Sequence, residues 1–85
     1  MDRLKNALAA VEKIDDQLIS LLNQRYRETR VAAECLKEQD LPLYDPACQR
    51  RIMERLLSGN QGPMTPEIVW AIYREIFSAS WKLRC

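Results

Sequence analysis

Arg25 is the residue of this chain whose placement most demands a chemical explanation. It continues a line of apolar residues, Leu4, Val11 and Leu18, that recurs at seven-residue steps. A guanidinium on such a stripe needs an anion beside it, because an unpaired buried charge is very costly. That anion is either a carboxylate of the chain, with Asp15 and Asp45 as candidates, or one carried by a ligand. Ser80 and Arg84, four residues apart, form a second candidate pair near the line of Tyr73 and Phe77. They either project into one interior or belong to an ordinary terminal turn. Gln49, Arg50 and Arg51 form a cluster that reads as a solvated face, with Gln49 as its one inward candidate. Trp70 and Trp81 read as packing or interface residues rather than platforms for a ligand. The chain has no His, which removes the usual general base and the usual metal ligand.

The elements that must position these residues are helical. From about Asp2 to about Gln39 there is no Gly and no Pro. Leu4, Leu8, Val11, Leu18, Leu22, Ala32 and Leu36 follow the spacing of one helix face, widened by Ile14, Leu21 and Cys35. Asp15, Arg25 and Thr29 are polar residues within that stripe. Pro42 disfavours the helical conformation at Leu41 and is expected to end the element. Asp45-Pro46 predicts a second helix start, a carboxylate cap followed by Pro in the first helical position. Ile52, Met53, Leu56 and Leu57 form its apolar face, and Gly59 is the expected C-cap. Thr65-Pro66-Glu67 predicts the start of a third helix, carried toward the C-terminus by Ile68, Val69, Ile72, Ile76, Phe77 and Leu83.

Length sharpens this reading. The chain has 85 residues, 47% hydrophobic and 29% charged, which predicts one small globular domain over residues 1–85. A compact domain of that size is roughly 30 Å across, whereas the first helix alone is about 55–60 Å long at 1.5 Å per residue. Either it folds back at a break, as a kinked three-helix bundle, or a second chain covers its stripe. With no Gly or Pro to supply a break, an all-α, intertwined helical homodimer is the expectation. A net charge of +1, from 13 basic and 12 acidic residues, opposes a nucleic-acid partner. The longest apolar or aromatic run, Ile68 to Tyr73, is too short to cross a membrane. Three Cys without a C-x-x-C motif suit a reducing compartment, so a cytoplasmic location is expected.

The motifs, taken in order, resemble the all-helical chorismate mutases. They are Ile14-Asp15-x-x-Leu18-Ile19-x-Leu21-Leu22-x-x-Arg25, then Ala33-Glu34, then Leu41-Pro42-Leu43-Tyr44-Asp45-Pro46. Asn60-x-Gly62-Pro63-Met64 and Ile72-Tyr73-Arg74-Glu75-Ile76-Phe77-Ser78 look most like the mutase domain fused to prephenate dehydratase. The similarity runs from about Leu4 to about Arg84. It implies a homodimer in which the long first helix is shared between two active sites, and it implies the rearrangement of chorismate to prephenate in aromatic amino-acid biosynthesis. That step is unimolecular and pericyclic, so no cofactor, metal or nucleophile is expected. The protein's task is to hold a compact conformer of a dianion and to stabilise charge growing on its ether oxygen.

Residue by residue, the resemblance gives Arg25 the grip on a substrate carboxylate, Asp45 a place near the substrate hydroxyl and Ser80 a place beside a carboxylate. Other positions depart from it. Leu8 stands where the family has an arginine donated across the dimer. Leu36 stands where it has a lysine reaching the ether oxygen and a carboxylate. Cys48-Gln49 replaces an Arg-Glu pair, and Arg84 replaces a glutamine. Gln49 can still hydrogen-bond a hydroxyl, Arg84 is a candidate substitute cation, and Lys37 reaches the site only if the first helix carries a π-bulge. A mutase of weak or altered activity is therefore expected. The rivals are a non-catalytic dimer that senses a ligand, regulates a partner or is purely structural, and a lyase acting on isochorismate. A helix-turn-helix DNA binder is opposed by the charge balance and by the long loops.

Overall fold

A computed structural model of the chain describes residues 2–42 and 46–81, the last of these by its backbone alone. The described residues form three α-helices: α1 (Asp2–Glu38), α2 (Pro46–Gly59) and α3 (Pro66–Trp81). They separate into two compact units, one up to Val31 and one from Ala32 onward.

The first unit is a single helical element, the greater part of α1. α1 has 37 residues and stays α-helical throughout, with no π turn. None of its residues is buried. Leu4, Leu8, Val11, Ile14, Leu18 and Leu21 are each between 50% and 61% exposed.

Asp40, rather than Pro42, ends α1. Asp40 adopts the left-handed conformation, with φ 57°. The Leu41 N–H donates to the Leu36 carbonyl at 2.8 Å and the Asp40 N–H to the Lys37 carbonyl at 3.1 Å. This pair of bonds is a Schellman motif, which satisfies carbonyls that the helix end leaves open. The turn is complete before Pro42 is reached.

In the second unit, α2 packs against α3. Met53, 1% exposed, and Val69, 4% exposed, are its buried apolar residues. Ile52, Leu56 and Leu57 are half-buried beside Met53 on α2. On α3 the inward seam is Val69, Tyr73, Ile76, Phe77 and Ser80. The rings of Tyr73 and Phe77 meet edge to face, with centroids 5.8 Å apart and an interplanar angle of 61°. The apolar face expected for α3 needs correcting, because Ile68 and Ile72 are each 46% exposed. Leu83 lies outside the described residues.

Thr65 caps α3 as its sequence requires: the Ile68 N–H donates to Thr65 Oγ1 at 3.3 Å, and the Val69 N–H to the Thr65 carbonyl at 3.1 Å. Gly59 corrects a second expectation. It ends α2 without a positive φ, so it is not a left-handed cap. Asn60 organises the exit instead. Its Nδ2 donates to the Met64 carbonyl at 2.9 Å, and its Oδ1 accepts from the Gly62 N–H at 3.3 Å. One side chain thereby holds both flanks of the α2–α3 loop.

Candidate functional site

In the first unit, Leu22, Arg25 and Thr29 of α1 are half-buried, at the spacing of three and four that one helix face requires. In the second unit, Ala33 and Leu36 near the end of the helix are half-buried. Ala32 and Cys35, read from the sequence as stripe members, are exposed; Ala33 takes the inward position. Arg25 is thus a half-buried cation flanked on its own helix by Leu22 and Thr29. The Thr29 hydroxyl donates to the Arg25 carbonyl at 2.8 Å.

Leu36 and Lys37 separate clearly. Leu36 is half-buried, while Lys37 is exposed. Because α1 has no π turn, successive residues remain about 100° apart round the axis. Lys37 is therefore not brought into the register of Leu36. Leu8 is 57% exposed on the N-terminal part of the stripe.

In the second unit, Cys48 and Gln49 occupy the first turn of α2. Gln49 is half-buried and shares the inward face of Ile52 and Met53, whereas Cys48, Arg50 and Arg51 are exposed. Cys48 and Cys35 are free thiols. Ser80 is half-buried on the α3 seam, and its hydroxyl donates to the Ile76 carbonyl at 3.0 Å. Asp45 and Arg84 lie outside the described residues. Within each unit, then, the candidate side chains fall on the partly covered faces: Arg25 on α1, Gln49 on α2 and Ser80 on α3. Trp70 is 48% exposed. Thr29 carries a signal that a search for charged groups passes over: it is a half-buried hydroxyl one turn from Arg25.

Among the described residues, no three His, Cys, Asp or Glu gather as a metal site would require. No described helix is long and apolar enough to cross a membrane.

Comparison with known proteins gives a consistent result. The family described as chorismate mutase type II matches residues 8–84. A bifunctional chorismate mutase/prephenate dehydratase of Aquifex aeolicus (strain VF5) is 32% identical over 87 residues, spanning 98% of this chain and 24% of the relative. The protein of the same description from Pseudomonas aeruginosa is 29% identical over 83 residues, spanning 92% of this chain and 23% of the relative. The chain thus spans about a quarter of the length of these curated relatives. The solved structure of chorismate mutase (form II) from Thermus thermophilus matches with a TM-score of 0.92 at 28% identity, covering 96% of this chain and 93% of that one. The order of three helices, the half-buried arginine on the first and a family match over nearly the whole chain lead to one assignment: this chain belongs to the type II chorismate mutase family.

Proposed function

We propose that the chain acts in the cytoplasm as a homodimeric chorismate mutase, rearranging chorismate to prephenate with reduced or altered activity. The observation that carries this reading is the position of Arg25. It is a permanently charged group, half-buried on the stripe of α1, in a chain of this family. Its role is to bind one carboxylate of the substrate, in the manner of a guanidinium fork on a planar anion. Gln49 and Ser80 would supply neutral hydrogen bonds, with Asp45 near the substrate hydroxyl and Arg84 as the substitute cation. The reaction is intramolecular. The protein therefore contributes conformational restriction and charge stabilisation rather than proton transfer or covalent catalysis.

Two observations support a second copy as part of the working unit. The apolar stripe of α1 is at least half exposed over six residues from Leu4 to Leu21. The buried core of the described residues consists of Met53 and Val69, too little apolar burial to offset the ordering of three helices.

The reduced activity follows from Leu36. Its half-buried position is the one to which the resemblance assigns a lysine. Loss of one preorganised donor lowers a rate by about 10²–10³. The same position favours a second reading, a dimer that binds the ligand without converting it. Following chorismate loss, with Arg25→Ala as control, tests the first reading. A wild-type rate no greater than the spontaneous one at high protein concentration would sink it. Calorimetry against chorismate and prephenate then separates a binding dimer from a purely structural one.

A further inference from the structure

Thr29 is a half-buried polar residue of the α1 stripe to which the mutase reading gives no role. It is half-buried, four residues beyond Arg25 on the same face, about 6 Å along the axis. An apolar residue would suit that position better, since a hydroxyl withdrawn from water must be satisfied. Its hydroxyl donates to the Arg25 carbonyl at 2.8 Å. That carbonyl, however, already accepts the helical bond from the Thr29 N–H, because both residues lie inside α1. The hydroxyl's bond to it is a second one, and the helix keeps its own when the hydroxyl turns away. The proton is therefore held on the Arg25 side of the helix in a bond that is easily exchanged for a stronger acceptor.

We propose that Thr29 is a ligand-binding residue of the Arg25 site, whose hydroxyl leaves the Arg25 carbonyl to donate to the carboxylate that Arg25 holds. This rests on the reading of Arg25 as a carboxylate anchor. It adds a neutral donor one turn from Arg25 on the same helix. A carboxylate is present in substrate and transition state alike, so the contact strengthens binding and leaves the chemical step unchanged.

The test compares Thr29→Val, which keeps the shape and removes the hydroxyl, with Thr29→Ser, which keeps the hydroxyl. With chorismate as substrate, Thr29→Val raises KM about 10- to 100-fold, the scale of a hydrogen bond to a charged group, while kcat stays within about threefold of wild type. Thr29→Ser restores KM to near wild type. The calorimetric Kd for prephenate moves in parallel with KM. A thermal melt of Thr29→Val is unchanged or higher, since Val leaves the helical bond intact. If wild type turns over chorismate and Arg25→Ala abolishes turnover, but KM of Thr29→Val stays within threefold, the hydroxyl serves only its own backbone and the proposal is overturned by itself. A fall in kcat without a change in KM overturns it equally. A wild-type chain that neither converts nor binds chorismate overturns the mutase reading and this inference with it.

Discussion

Leu18 offers a quantitative test of the idea that a second chain covers α1. It is 50% exposed. Full burial of a leucine stabilises by about 1.5–3 kcal/mol, so covering the remaining half is worth about 1 kcal/mol. In a symmetric pair the contact occurs twice, giving about 2 kcal/mol. Leu18→Ala forfeits most of it, which corresponds to roughly a 30-fold rise in the dissociation constant, and any cavity left behind adds to the loss. Val31 is the control. It is 52% exposed, nearly the same as Leu18, but lies about 140° round the helix from it, away from the stripe. Val31→Ala should leave association within about twofold, because its surface stays in water in both states. Sedimentation equilibrium over a dilution series of the three proteins measures the difference. Equal shifts for both variants, or a wild-type chain that sediments as a monomer at every concentration, would refute the reasoning. Exposure alone would then have been mistaken for an interface.

Two further predictions follow from the helix register and its termination. Leu36→Lys puts a cation at a half-buried position, and should raise kcat/KM for chorismate by about 10²-fold; Lys37→Leu should leave it unchanged, which steady-state kinetics of the two variants decides. Asp40→Gly relieves the left-handed conformation at φ 57° and should stabilise the chain by about 0.5–1 kcal/mol, read as a higher midpoint in urea with an unchanged slope.

Much of the fold was legible because helices announce their faces. The uninterrupted run without Gly or Pro gave α1 its length to within a residue, and Thr65-Pro66 marked the start of α3. The stops were harder to read. Asp40 ends α1 through a backbone conformation that aspartate adopts less readily than glycine, so nothing in its identity singled it out from a solvated turn. Gly59 carried the expected signal for a left-handed cap, yet the hydrogen bonds of Asn60 organise that exit. The face of α3 was misjudged at Ile68 and Ile72 because apolar residues cover much of its circumference. A helix apolar on several sides has no single stripe, and packing on α2 selects Val69, Tyr73 and Ile76. For the site, Arg25 stood out through its conflict with the stripe, and Gln49 through its offset from Arg50 and Arg51. Thr29 was visible as a polar interruption, but only the bond to the Arg25 carbonyl suggests what it does.

The continuity of α1 also constrains how this chain can change. A deletion of one residue between Arg25 and Lys37 would carry the lysine into the register now held by Leu36. The same deletion would turn every residue on one side of it about 100° round the axis relative to every residue on the other. An insertion does the same in the opposite sense. Length changes within residues 2–38 therefore cannot move one functional group without displacing the whole seam. The helix acts as a ruler on which each position keeps its bearing.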